Sequence, residues 1–285
     1  MTTQPYILYF TDSPEAEAST QTAKDMSQVI ERACILPMNR DTWQSKIVKL
    51  KGTNSLCILA THGGIGEDGV LQSFMESLGV IHTHSSAQAS IMMTHKHTTK
   101  LVYRALDIPT PAWSYGQFTS DKFPENIKII QKPVKGGSKR DIGIKNNTQH
   151  VDNGLKYIYE LYVEGIYEVS VPVLRQGSQH IALSPIVRLR RSGSIGHLVD
   201  VSSESLEAQI LKDCKIMAVK FSEAVNCFGI TKTDFVIDIH SNPWAIETDA
   251  IPGLARNNAS ALAAEKAGIS YKDLIGAIMR TTYCE

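Results

Sequence analysis

The sequence predicts a mixed α/β chain with a small parallel α/β unit at its N-terminus. Apolar runs alternate with helical stretches between residues 6 and 82, the pattern of strands joined by crossover helices. A long amphipathic stretch spans 204–227, and a β-branched ribbon carrying acids follows at 233–253. At 285 residues the chain is long enough for two or three small cores.

Residues 6–10 read as a buried strand. A polar loop, 11–19, follows with Glu15 and Glu17, then a helix over 20–32. Residues 55–61 form a second apolar run, 70–78 repeat with helical period, and 80–82 begin another strand. In parallel sheets ligands bind at the carboxyl ends of strands. The loop His62-Gly63-Gly64-Ile65-Gly66-Glu67-Asp68-Gly69 falls at such an end. It reads as a glycine-rich turn facing a ligand, with His62 and Glu67 nearby. It reads equally as a βα loop whose Asp68 or Glu67 caps the next helix, although capping accounts for the acids and not for the glycines.

A helix is predicted over 86–106, ending at Asp107-Ile108-Pro109-Thr110-Pro111, where two prolines mark an extended connector. Residues 127–132 are a strand ending in Lys132-Pro133. Residues 134–143, rich in glycine and cations, read either as a surface hairpin or as a backbone anion nest. A helix near 152–159 precedes a strand over 167–174, where Pro172 hints at an edge or bulge. A further strand covers 181–189 and an arginine-bearing loop 188–196. In the 204–227 helix, Leu206, Ile210, Cys214, Met217, Ala218, Phe221 and Val225 recur at three- and four-residue steps, a core stripe. An alanine-rich helix follows Asn257-Asn258, and Ser270-Tyr271-Lys272-Asp273 opens the last helix in capping-box style.

The acidic ribbon carries the chemistry. Residues 235–239 and 244–248 read as two strands joined by the turn His240-Ser241-Asn242-Pro243. A hairpin centred between Ser241 and Asn242 sets Asp234 opposite Asp249, with Glu247 on the same face, roughly 6.5–7 Å from Asp249. Three like charges so close call for a cation, and carboxylate oxygens are the hard ligands that Mg²⁺ prefers, with phosphate oxygens completing its shell. The alternative is a solvated acidic face.

Composition excludes other classes. With 29 basic and 29 acidic residues there is no general basic field for nucleic acid or an anionic membrane. Five scattered cysteines without a Cys-x-x-Cys pair suggest neither a zinc site nor a disulfide framework. No stretch approaches membrane-spanning length and no signal peptide is visible. The expectation is a cytoplasmic protein with small-molecule partners.

Several motifs, in order, resemble the D-alanine–D-alanine ligase family. Residues 62–72 (His-Gly-Gly-Ile-Gly-Glu-Asp-Gly-Val-Leu-Gln) are similar to its HGxxGEDGxxQ signature. Lys96, Ile108-Pro109-Thr110-Pro111, Lys132-Pro133 and residues 247–253 (Glu-Thr-Asp-Ala-Ile-Pro-Gly) keep the family's order and approximate spacing. The likeness covers nearly the whole chain and is strongest over 60–113 and 229–275. It implies an ATP-grasp fold of three domains, 1–86, 87–159 and 160–285, with ATP between the second and third. It also implies a homodimer.

By position, the resemblance makes Asp234, Glu247 and Asp249 ligands of two Mg²⁺ ions. It puts Lys96 and Lys132 on ATP phosphates, Ser138 in the flap above them, Glu160 and Glu168 at adenine and ribose, and Val163 at the hinge. Glu15, beside His62, would hold the first substrate's ammonium group. The implied reaction is phosphorylation of a carboxylate by ATP, then attack of an amine on the acyl phosphate. The departures lie mainly on the substrate side. Lys232 stands where the family has an arginine, Asp249 where it has asparagine, and Asn258-Ala259 where a serine–leucine pair receives the second D-alanine. Gly253, at the end of the metal motif, would lie with Asn258 at the substrate, and Arg256 is an extra cation able to hold a carboxylate. Arg190, Arg191 and Ser192 replace a Lys-Tyr pair. These departures suggest an amino-acid ligase with an altered pocket, in specialised metabolite or antibiotic biosynthesis. The alternatives are peptidoglycan D-alanyl-D-alanine synthesis, a nucleotide sensor without catalysis, and a small-molecule kinase.

Overall fold

The computed structural model describes residues 3–116, 127–136, 142–146, 154–190 and 198–283. The first sheet is parallel, in the order β2 (Cys34–Met38), β1 (Gln4–Phe10), β3 (Ser55–Leu59). Helices α1 (Ala16–Ser27) and α2 (Trp43–Val48) connect them. Strand β2 and helix α2 go beyond the sequence reading. Edge strand β2 is mostly exposed and carries Pro37, so it shows no apolar run, and α2 is only six residues long. The strand expected at 80–82 reduces to single bridges, His82 to Cys57 and to Tyr283. Strand β3 runs into the glycine-rich loop, and α3 (Val70–Ser77) follows it.

The helix expected over 86–106 is two, α4 (Ala87–Thr94) and α5 (Lys96–Ala105). They part at His95, whose backbone is extended (φ −88°, ψ 96°) and whose Nδ1 accepts the Thr98 N–H as an N-cap. The break frees the Lys96 N–H to donate to the Val134 carbonyl at 2.9 Å.

The second sheet is antiparallel, in the order β4 (Trp113–Tyr115), β7 (Tyr157–Leu161), β5 (Lys128–Pro133), β6 (Gly143–Asn146). The residues expected to be helical near 157–159 are thus strand, as the Tyr-Ile-Tyr run favours. A 3-10 turn, Gly154–Lys156, precedes them, and the start of that expected helix lies outside the described residues.

The third sheet contains β8 (Tyr167–Gln176), β9 (Gln179–Ala182), β10 (Ile186–Arg190), β11 (Leu198–Val201), β12 (Ile230–Ile237) and β13 (Pro243–Asp249). Its order is β11-β10-β8-β12-β13, with β9 beside β8. The strand expected over 181–189 is therefore broken into β9 and β10. Pro172 lies inside the sheet, neither at an edge nor at a bulge. On one side it pairs with Lys232, and on the other it faces the gap between β9 and β10, where the Leu183 N–H reaches its carbonyl. The missing N–H leaves that contact one-sided, at the end of the β8–β9 ladder.

Helix α6 (Ala208–Ala224) buries Ile210, Cys214, Ala218 and Phe221; it starts later than predicted because 203–205 form a 3-10 turn. Helices α7 (Ala259–Lys266) and α8 (Tyr271–Arg280) close the chain. Ser270 caps α8 as expected, accepting the Asp273 N–H and donating to its carboxylate. One apolar core joins Leu8, Phe10 and Leu59 of the first sheet to Val171 and Phe235 of the third, with Tyr103 and Phe221 from the helices. This shared core sets the carboxyl end of β3 against the β12–β13 hairpin. No helix among the described residues is long and apolar enough to cross a membrane.

Candidate active site

Period-two alternation divides the β12–β13 hairpin into two faces. Thr233, Phe235 and Thr248 are buried inward, where Tyr103 Oη bonds Thr248 Oγ1 (2.6 Å) and Thr248 bonds Thr233 (2.9 Å). Lys232, Asp234, Glu247 and Asp249 share the other face. The register differs from the expected one. Asp234 pairs with Glu247, and Asp249 pairs with Lys232. The shift has two causes. Asp238 organises the turn by accepting the backbone N–H groups of His240 and Asn242 and the Trp244 indole N–H. A bulge between Phe235 and Asp234 then leaves Ile246 without an opposite residue. The three carboxylates still share a face, with Lys232 among them.

Lys232 Nζ lies 2.5 Å from Asp234 Oδ2 and 2.9 Å from Asp249 Oδ2. Burial lowers its pKa, but Asp234 and Asp249 outweigh that and hold the ammonium well above the ordinary lysine range. The second oxygen of Asp234 accepts the Ser170 hydroxyl at 2.6 Å.

These side chains line a cleft of about 680 Å³ that also receives Glu15, His62, Glu67, Lys96, Lys132, Glu160, Val163, Glu168, Gly253 and Asn258. On the second-sheet side, Lys132 Nζ donates to Glu160 Oε1 at 2.7 Å. Glu160 Oε2 lies 2.5 Å from Lys100 Nζ, an ionic contact without hydrogen-bond alignment. Burial raises the Glu160 pKa, but the two lysines overcome it and hold the carboxyl below its usual range. Expected at adenine, Glu160 lines the cleft with both oxygens committed to lysines. Lys96 Nζ donates to the Gly136 carbonyl at 2.5 Å, at the foot of the 137–141 segment. Ser138 belongs to that segment and lies outside the described residues.

On the first-sheet side, Glu15 stands at the start of α1 and His62 at the end of β3. His62 Nδ1 faces the Ile251 carbonyl (3.3 Å), so it carries the proton, and Nε2 accepts from the Thr22 hydroxyl (3.0 Å). Burial lowers the His62 pKa against the pull of Glu15, which keeps the ring neutral. In the adjoining loop, Gly69 and not Asp68 or Glu67 is the α3 N-cap, and Asp68 Oδ1 instead accepts the Val70 N–H two residues on, a local turn that leads into the helix. Burial pushes the Glu67 carboxyl up to about 8, and Asp249 and Glu15 add to the rise. The loop therefore serves the cleft and the helix together.

At the far end, a Cβ on Gly253 would lie 1.9 Å from Asn258 Nδ2, so only glycine lets Asn258 pack there. Arg256 stands apart from this group. It is exposed, and its guanidinium lies 4.4 Å from the Tyr271 ring centre. The cation expected to reach a substrate carboxylate is thus stacked on α8, outside the lining of the cleft.

Against known families, residues 128–280, more than half of the chain, match the model described as D-ala D-ala ligase C-terminus. The chain belongs to the D-alanine–D-alanine ligase family. It is therefore an ADP-forming ATP-grasp ligase that makes a carbon–nitrogen bond. A D-alanine–D-alanine ligase of Polaromonas sp. is 28% identical over 302 residues, covering 95% of this chain and 87% of that protein. The crystal structure of the Bacillus anthracis D-alanine–D-alanine ligase superposes with a TM-score of 0.80 at 20% identity, covering 98% of this chain and 97% of that one. The same enzyme complexed with ATP gives 0.76 at 19% identity, with 98% and 96% coverage.

Among the described residues, no three His, Cys, Asp or Glu side chains are disposed to hold one ion by themselves. Lys232 sits between two of the three acids, while no described group bonds the Glu247 carboxylate. The donors are nonetheless hard oxygens on the wall of a nucleotide-sized cleft. They fit a Mg²⁺ ion whose shell phosphate oxygens complete.

Sequence reasoning passed over two members of this site. Lys100 follows Lys96 by one helical turn, the i, i+4 spacing that puts both on one face of α5. Glu67, expected near the ligand or as a helix cap, does line the cleft. Ser170 carries no sequence signal; only the pairing of β8 with β12 places it opposite Asp234.

Proposed function

We propose that this ligase joins two molecules of D-alanine at the expense of ATP, with Mg²⁺ as cofactor. The observation that supports this most is near-full-length similarity to proteins named D-alanine–D-alanine ligase. The altered-pocket reading, with a role in specialised metabolism, rests on substitutions such as Lys232, Asn258 and Ala259 and finds no support among these relatives.

In this reading Glu15 holds the ammonium group of the first D-alanine. Neutral His62, fixed by Thr22 and Ile251, packs beside it without competing charge. Protonated at neutral pH, Glu67 limits the negative charge near the incoming carboxylate. Lys96 and Lys132 take the ATP phosphates, and the buried Lys100–Glu160 pair fixes Lys132 in position. Val163 and Glu168 meet the adenosine end, and Ser138 belongs to the flap over the phosphates. Asp234, Glu247 and Asp249 hold Mg²⁺, which when bound neutralises charge developing on the transferred phosphoryl group. Asn258, seated on Gly253, faces the second D-alanine. Positioning and electrostatics make up the protein's share of catalysis, because little covalent work falls to its side chains.

The test is phosphate release from MgATP with D-alanine, with the dipeptide identified by mass spectrometry. D-alanine alone should stimulate release and yield D-alanyl-D-alanine. Silence with D-alanine and turnover with another amino acid would transfer the reading to that substrate. ATP binding without turnover on any amino acid would favour the sensor.

A further inference from the structure

Lys232 holds its place through backbone pairing as well as charge. It pairs directly with Asp249 across the ladder and stands two residues from Asp234 on the same face, so both contacts are built into the sheet. Its ammonium spans Asp234 Oδ2 and Asp249 Oδ2 at 2.5 and 2.9 Å, with only 13% of the side chain exposed. Asp234 and Asp249 thus already have a cation between them. Displacing the ammonium would strand a buried charge, and its stem is anchored on the strand that carries Asp234. Ser170 occupies the other oxygen of Asp234, whereas no described group bonds the Glu247 carboxylate.

We propose that the Lys232 ammonium takes the place of one divalent ion, so that the ligase binds a single Mg²⁺ with its nucleotide, on the Glu247 side of the cluster. The proposal rests on the nucleotide reading above and departs from the two ions that family resemblance implies. Lys232 is on this account a built-in counter-ion that ties Asp234 to Asp249.

The experiment counts Mn²⁺ bound per chain by electron paramagnetic resonance, using the full-length protein with saturating adenylyl imidodiphosphate. Nucleotide binding is measured by equilibrium dialysis on the same samples. Wild type should bind one Mn²⁺, and Lys232→Met should gain a second. Two ions on the wild-type protein would overturn the proposal, as would a single ion on both proteins. Should Lys232→Met fail to fold by circular dichroism, Lys232→Gln replaces it, with the same gain of a second ion expected. Absence of bound nucleotide would remove the nucleotide reading and the proposal with it, whereas bound nucleotide with two ions removes the proposal alone.

Discussion

Glu247 stands directly across the β12–β13 ladder from Asp234, and the two differ in their bonding. Asp234 gives both oxygens to protein groups, Ser170 and Lys232, while no described group bonds the Glu247 carboxylate. A charged side chain left so in a cleft contributes to ligand binding more than to folding. Glu247→Gln should therefore lower kcat by about 10²–10³-fold and change stability by no more than about 0.5 kcal/mol. Phosphate-release kinetics and a urea melt check the two halves; near wild-type turnover would remove Glu247 from the metal set.

Lys100, Glu160 and Lys132 form a triad in which Glu160 is almost completely buried. Removing one partner of a buried pair leaves uncompensated charge. Lys100→Met should cost about 3 kcal/mol, the low end of the range for such pairs, because Lys132 still holds Oε1. Chemical denaturation measures it, and a loss below about 1 kcal/mol would mean that water reaches Glu160.

His84 is fully buried in the left-handed region (φ 68°), with Nδ1 against the Thr83 hydroxyl and Nε2 unpartnered. Burial, with His62 and His82 adding to it, holds its pKa at about 3, below the ordinary imidazole value. The unfolded chain thus takes up a proton that the folded chain refuses. The stability His84 contributes is complete above about pH 6.5 and declines as pH falls toward about 3. Between pH 7 and 5 the wild type should lose about 2 kcal/mol more than His84→Asn, asparagine being at ease at positive φ. Urea melts at the two pH values check this, and equal losses would show that His84 is protonated in the folded state.

Gly253→Ala would drive a methyl into Asn258 and push its side chain aside. The account predicts a fall in kcat/KM for D-alanine of about 10–10²-fold, with the KM for ATP changed by less than about threefold. Equal effects on both substrates would place Asn258 away from the amino-acid end.

Much of this architecture was legible in the sequence wherever one local rule governed it. The Ser270 cap, the α6 stripe and the glycine-rich loop after β3 all follow from short-range pattern. The same-face trio Asp234, Glu247 and Asp249 follows from strand alternation. Its register did not, because a bulge at Ile246 and an Asp238-centred turn depend on how two strands close rather than on either alone. Edge strand β2 lacked an apolar run, and the break at His95 depended on a side-chain cap within an otherwise helical stretch. In the cleft, residues sharing a motif could be anticipated, whereas Lys100 and Ser170 were brought in by tertiary pairing. Arg256 shows the converse, a cation close in sequence to the site that Tyr271 draws elsewhere.

The most direct test of the central claim follows oxygen through one turnover. D-alanine labelled with ¹⁸O in its carboxylate is incubated with MgATP and the enzyme, and the released phosphate is analysed by mass spectrometry. If the carboxylate is activated as an acyl phosphate and then attacked by the second D-alanine, one ¹⁸O passes into phosphate for each dipeptide formed. Unlabelled phosphate alongside labelled dipeptide, or label recovered in AMP, would contradict the account.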